Sequence, residues 1–127
     1  MSVLEWLLDS APAIRWQVMR DLTDAPGDEV EAERARVARE GWGPQLLASQ
    51  EERGTWSGGA YAPEWTSTTS TLQLVRHFGI DPREERVRQA LELVRANVTW
   101  EYDDLPYFDG EVEPCINGQA VAIGSYF

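Results

Sequence analysis

The chain has 127 residues, enough for one domain with a modest core, and its hydrophobic content of 43% is that of a folded protein. The formal net charge is −11, and all eleven cationic side chains are arginines. This acidity opposes nonspecific binding to nucleic acid or to an anionic membrane, and no apolar run approaches the roughly 20 residues that span a bilayer. We therefore expect a protein with no nucleic-acid partner and no membrane span.

Cysteine usage and the N-terminal segment bear on location. The single cysteine, Cys115, excludes an intramolecular disulfide and fits a reducing compartment. The N-terminal segment carries Glu5 and Asp9, where a secretory signal peptide carries basic residues. A cytoplasmic location is therefore expected.

The first third of the chain has helical spacing. Residues 2–9 predict a short amphipathic helix, and Ser10 is the expected cap of the next helix, with Pro12 in its first turn. The predicted core stripe of this second helix is Ile14, Val18 and Leu22. Residues 28–40 begin with acidic side chains and end with arginines, which favours a peripheral, solvated helix.

A glycine-rich loop over residues 54–63 separates the next two predicted helices. The helix before it is short, over residues 44–50. The helix after it is expected to start near Thr66 and to end at Gly79, since glycine accepts the left-handed conformation that often follows a helix.

The last third of the chain contains the clearest helical pattern. Asp81 and Glu84 have the spacing of a capping box. The apolar positions that follow at helical spacing are Val87, Ala90, Leu91 and Val94. An aromatic loop covers residues 100–114, and a last apolar stretch covers 115–127. No segment alternates over a strand length, so the sequence predicts an all-α protein.

The chain aligns with itself at three places, with a period of roughly 44–56 residues. The matched pairs are 18–26 with 74–82, 46–56 with 90–100, and 65–78 with 114–127. Each pair belongs to a unit of helix, aromatic loop and second helix. Such helical hairpins bury their apolar faces only by stacking on their neighbours, so the pattern predicts a helical-hairpin repeat.

One stretch of this repeat resembles a known motif. Its residues are Leu46, Leu47, Gln50, Gly54 and Trp56. They are similar to the QW motif of terpenoid cyclases, in which an aliphatic or aromatic residue is followed by Q and then by G-x-W. The whole chain, residues 1–127, looks like part of the α/α-toroid family that includes squalene-hopene cyclases and protein prenyltransferase β-subunits. The second copy of the motif has Val94 in place of the glutamine.

The resemblance implies a fold and a role for the motif. Outer helices would surround inner ones, and the N-terminal ends of the inner helices would open on an apolar cavity. Gln50, Gly54 and Trp56 would be structural, tying an outer helix end to the neighbouring loop. A closed toroid in this family needs five or six hairpins, and 127 residues supply about three. The chain would thus be a partial α/α toroid, either a fragment of a longer ring or a homo-oligomer.

The resemblance also suggests two catalytic devices, each with a simpler alternative. Glu101, Asp103 and Asp104 are similar to the D-x-D-D motif of class II terpene cyclases, in which a protonated acid starts cyclisation; the alternative is an ordinary solvated loop. Glu113 and Cys115 stand where the prenyltransferase β-subunits have zinc ligands. The family's third zinc ligand, a histidine on a later helix, has no counterpart in this chain. The alternative for Cys115 is a small buried residue.

A run of six hydroxyl residues, 66–71, is expected at a helix start. Hydroxyl groups satisfy the free N–H groups there, and the positive end of the helix dipole can also meet an anion such as a diphosphate. In that second interpretation Thr68, Thr69 and Arg76 would bind substrate. Trp65 and Tyr107 lie at loop–helix junctions, where they would either line the cavity or pack in the core.

Two functions follow from these observations. The resemblance implies a cavity for an isoprenoid or another long apolar ligand, with terpene cyclase-like lyase or isomerase activity or prenyltransferase activity. The alternative is a non-catalytic helical repeat that binds a ligand or a protein.

Overall fold

A computed structural model describes residues 1–127 and shows an all-α protein, as predicted. Its seven α-helices are α1 (Val3–Leu8), α2 (Pro12–Leu22), α3 (Gly27–Ala35), α4 (Trp42–Ala48), α5 (Thr68–His77), α6 (Glu85–Asn97) and α7 (Pro114–Tyr126). Two 3₁₀ turns cover Arg36–Ala38 and Tyr107–Asp109. Extended pairing is limited to two isolated bridges, one between Trp56 and Gly59 and one between Thr99 and Pro106. None of the helices combines the length and the apolar character needed to cross a membrane.

Helix α2 departs from its predicted cap and core stripe. Its N-cap is Ala11 rather than Ser10, and no side chain caps the helix. Of the predicted stripe, Val18 is buried but Leu22 is 59% exposed. The buried face instead includes Trp16, whose indole Nε1 donates a hydrogen bond of 2.8 Å to the carbonyl of Phe78. Because the helix packs against α1, α3 and the end of α5, its contacts do not follow a single stripe.

The predicted capping box before α6 is also wrong. The Asp81 carboxylate accepts hydrogen bonds from the backbone N–H and the guanidinium of Arg83, and α6 begins after Glu84 without a side-chain cap. The Arg83 guanidinium lowers the pKa of Asp81 to about 2. The apolar spacing within α6 was more informative, because Val87, Ala90 and Val94 are all buried.

The core lies where α5, α6 and α7 meet the loops that precede α5 and α7. Trp100 and Tyr107 are 1% and 0% exposed, and their rings stack with centroids 4.5 Å apart. The indole Nε1 of Trp100 donates a hydrogen bond of 2.9 Å to the Tyr107 carbonyl, which closes the loop between α6 and α7 on itself. The other largest fully buried side chains are Leu72, Ile80 and Ile123.

Helices α5 and α7 pack side by side, and a hydrogen bond near each end indicates that they run in the same direction. At one end, the Tyr107 hydroxyl, just before α7, bonds to Thr69 in the first turn of α5. At the other end, the Tyr126 hydroxyl in the last turn of α7 donates to the carbonyl of Ile80, just past α5. Helix α4 packs against both α5 and α6. The loops 49–67 and 98–113 therefore lie together at one end of the molecule.

Candidate functional site

The segment with the QW-like motif joins α4 to α6. The side-chain amide of Gln50 donates to the Gly54 carbonyl at 3.0 Å and to the Ala90 carbonyl, within α6, at 2.9 Å. The indole Nε1 of Trp56 donates to the Leu46 carbonyl at 2.8 Å, in the last turn of α4. The three acceptors are backbone carbonyl groups, and Gln50 bonds both to its own loop and to the neighbouring helix.

Gly54 completes this contact with α6. Its φ of +94° lies in the left-handed region, which favours glycine. A Cβ at this position would lie 2.7 Å from the carbonyl oxygen of Leu93 and 3.1 Å from the backbone nitrogen of Val94. The absence of a side chain thus lets the loop touch the backbone of α6.

Four of the six hydroxyl residues at the start of α5, those at 67–69 and 71, are buried. Thr68 and Thr69 are fully buried, and their hydroxyls donate to the carbonyls of Gly59 and Ala60 at 2.7 and 2.8 Å. Their backbone N–H groups donate to the same two carbonyls. The N–H groups that an anion would meet at these two residues are therefore already bonded to the preceding loop.

Tyr107 belongs to the same buried network. Because the Thr69 hydroxyl donates its only proton to Ala60, the Tyr107 hydroxyl, 2.8 Å away, is the donor to Thr69. Burial raises the pKa of Tyr107 to about 12. The sequence left two interpretations open for this tyrosine, and the structure places it in the core.

The acidic segment 101–104 is a turn at the surface. Asp103 and Asp104 are exposed and have φ values of 67° and 52°, a conformation that aspartate accepts more readily than most residues. Glu101 points elsewhere, because its carboxylate accepts the backbone N–H groups of Tyr61 at 2.9 Å and Ala62 at 3.0 Å. It thereby links the two loops. Glu101 and Asp104 border an open cleft of about 610 Å³ whose lining is mostly polar.

Glu113 and Cys115 lie at the start of α7 and are both exposed. The expectation of a buried Cys115 is therefore wrong. No three histidine, cysteine, aspartate or glutamate side chains come together in a group that could hold a metal ion. The one histidine, His77, ends α5, at the opposite end of the α5–α7 pair from Glu113.

Two of the predicted binding residues, Trp65 and Arg76, line a single groove. This α5–α7 groove has a volume of about 460 Å³. Its other lining residues are Ser70, Gln73, Leu74, His77 and Gln119. Trp65 is 85% exposed at the end of the groove that lies beside the loops. The Arg76 Nε donates to the Gln73 side-chain oxygen at 3.0 Å, and Arg76 forms no salt bridge with a carboxylate.

A second, more apolar groove adjoins the first along α4. Its volume is about 490 Å³, and it shares Leu74 with the α5–α7 groove. The rings of Trp42 and Phe78 contribute to it, with centroids 5.9 Å apart. Its remaining lining residues are Gln45, Leu46 and Ser49. The two grooves therefore meet at an exposed leucine and carry one arginine, Arg76, among their lining residues.

Most of the residues that line the two grooves were not predicted from the sequence. Ser70, Gln73, Leu74 and His77 recur at helical spacing on α5, and that spacing could have indicated a shared face. Gln119 and Trp42 come from distant parts of the chain and carried no comparable signal. Comparison with protein-family models, with curated proteins and with solved structures finds no match.

Proposed function

We propose that this chain is a partial α/α toroid that binds a long apolar ligand, such as an isoprenoid, along the two grooves that meet at Leu74. The observation that carries the proposal is the presence of Trp65 and Arg76 in one groove, which shares Leu74 with the apolar groove of Trp42 and Phe78. Their combined volume falls within the roughly 300–1,000 Å³ of small-molecule sites. Arg76 would hold the anionic head group.

The energetics favour an extended ligand over a compact one. Leu74 and Trp42 are 43% and 48% exposed, so a bound chain would remove apolar surface on both sides of the groove from water. Each CH₂ group buried contributes about 0.8 kcal/mol. A head group at Arg76 adds a charge-assisted interaction, and within one chain the guanidinium forms no salt bridge with a carboxylate.

The toroid part of the proposal is supported by the direction of the helices. Helices α5 and α7 are parallel, and each follows a helix and a loop that closes on a buried tryptophan, Trp56 or Trp100. Ser70 and Gln119, which line one groove, are equivalent in the self-alignment of 65–78 with 114–127. In this arrangement α5 and α7 are inner helices, and α4 and α6 are outer ones.

Ligand binding is tested by titrating the intrinsic tryptophan fluorescence with farnesyl diphosphate and, separately, with farnesol. We expect a saturable fluorescence change with both ligands, because Trp65 and Trp42 are exposed in the grooves. The diphosphate should bind more tightly than farnesol, because Arg76 can pair with its charge. Leu74→Gln should weaken both ligands, and Arg76→Gln should weaken only the diphosphate, each by roughly tenfold, or about 1.4 kcal/mol.

Two matched variants on α6 serve as controls. Leu93 is 38% exposed and Arg95 forms no salt bridge, and both lie away from the two grooves. Leu93→Gln and Arg95→Gln should leave both titrations unchanged. The proposal fails if neither ligand changes the fluorescence, or if the α6 variants weaken binding as much as the groove variants do.

A further inference from the structure

The outward face of α7 carries no charge. Pro114–Tyr126 contains no aspartate, glutamate, lysine, arginine or histidine, in a chain with 26% charged residues. The exposed positions, which recur at helical spacing, are Pro114, Cys115, Gly118, Val121, Gly124 and Ser125. Val121, in the middle of the face, is 68% exposed. By contrast, the exposed positions of α6 include Glu85, Arg86, Arg88, Glu92 and Arg95.

The shape of this face admits another helix at short range. A Cβ added to Gly118 would meet no atom within 4 Å, so the surface there is open. Val121 lies next to Gly118 on the same face, three positions along. Two such helices can pack against each other in antiparallel orientation. In that orientation Val121 of each copy would fit into the space above Gly118 of the other copy.

The two ends of the face have opposite charges. Glu111 and Glu113 precede the N-terminus of α7. Arg76 lies in the last turn of α5, which runs parallel to α7, so its positive charge is near the opposite end of the face. An antiparallel copy of the same face would place the glutamates of each copy near the Arg76 of the other. The helix dipoles would also be antiparallel, which is the favourable arrangement.

We propose that α7 packs antiparallel against α7 of a second copy of this chain, about a two-fold axis between Gly118 and Val121. The self-complementary charge pattern is that of an isologous interface, in which the same patch meets itself. The contact is uncharged at its centre, so it brings no like charges together there although each copy has a net charge of −11. This inference does not rest on ligand binding in the grooves, and a ligand head group would compete with the dimer for Arg76.

The size of the interface sets its strength. A stable interface buries about 800 Å² on each partner, near a tenth of the 7650 Å² surface of this chain. Helix α7 is about 20 Å long and supplies part of that area, and exposed Trp65 at its edge adds more. We therefore expect a dimer that dissociates on dilution, with a dissociation constant in the micromolar range.

The first test is sedimentation equilibrium of the purified chain over a range of concentrations. The wild-type protein should shift from monomer to dimer, and Val121→Glu should stay monomeric while keeping its circular dichroism spectrum. Val3→Glu is the matched control, since Val3 is 73% exposed on α1, and it should dimerise normally. A wild-type protein that stays monomeric at every concentration, or a Val121→Glu variant that still dimerises, overturns the proposal.

The second test is a charge swap that fixes the orientation. Arg76→Glu and Glu113→Arg should each weaken the dimer at least tenfold, and the double variant should restore it. Arg76 and Glu113 lie at opposite ends of the α5–α7 pair, so the rescue cannot arise within one chain. In an antiparallel pair the two Cys115 residues are separated by about 13 Å along the axis, too far for a disulfide. A Cys115–Cys115 disulfide formed on oxidation of the dimer would instead require a parallel pair.

Discussion

Replacing Gly54 by alanine tests how the loop after α4 is held against α6. Gly54 is buried at φ +94°, and a Cβ there would lie 2.7 Å from the Leu93 carbonyl oxygen and 2.8 Å from the Leu93 carbonyl carbon. The left-handed backbone alone costs an alanine about 1 kcal/mol. Moving two backbone segments apart costs a further 1–3 kcal/mol, roughly, and weakens the Gln50 bonds to Gly54 and Ala90. We expect Gly54→Ala to lower the free energy of unfolding by about 3 kcal/mol.

Gly58→Ala is the matched control in the same loop. Gly58 has a similar φ of +78°, but a Cβ there would meet no atom within 4 Å. Its substitution should cost only the backbone term, about 1 kcal/mol. Urea denaturation at equilibrium, followed by circular dichroism, measures both variants. Equal losses for the two variants would refute the close approach of the loop to α6.

Two further predictions concern the buried hydroxyl network and the link between the loops. The raised pKa of Tyr107 means that the folded state holds the hydroxyl proton more tightly than the unfolded state does. The stabilisation of the folded state by this protonated hydroxyl is complete below pH 10 and is lost as the pH rises from 10 to about 12. Between pH 10 and 12 the wild-type protein should lose up to about 2.7 kcal/mol of unfolding free energy relative to Tyr107→Phe. If the unfolding free energies of the two proteins change with pH in the same way, the raised pKa of Tyr107 is contradicted. Glu101→Ala should lower the free energy of unfolding by about 1–2 kcal/mol, because the N–H groups of Tyr61 and Ala62 lose their acceptor. Glu52 is the control, because its side chain makes no hydrogen bond. Glu52→Ala should lower the free energy of unfolding by less than about 0.5 kcal/mol. Urea denaturation of the two glutamate variants checks this, and equal losses would remove the role given to Glu101.

Helical periodicity carried most of what the sequence predicted about the fold. The spacing of Val87, Ala90 and Val94 located the buried side of α6, because that helix has one side in the core and one in water. The same reasoning failed for α2, where Trp16 bonds to Phe78 and the helix is packed on several sides. A single stripe is a good guide only for a helix with a single buried face.

The candidate site was harder to predict than the fold, because several of its side chains form hydrogen bonds with residues that are distant in sequence. Glu101 lies in an acidic run, but its partners are backbone N–H groups about 40 residues earlier, which no local pattern reveals. Thr68 and Thr69 were recognised as helix-start residues, yet the loop that accepts their hydroxyls could not be placed from the sequence. Trp65 and Arg76 line one groove because Trp65 lies just before α5 and Arg76 lies in its last turn. Their role in binding a ligand stays a prediction.

The most direct measurement of the central claim is photo-crosslinking with a benzophenone-bearing isoprenoid diphosphate, followed by mass spectrometry of the labelled peptides. Binding along the two grooves predicts labels in the peptides that contain Trp42, Trp65 and Leu74, with excess farnesyl diphosphate suppressing them. Labels confined to α6 or α1, or labels that the competitor does not suppress, would contradict the proposed function.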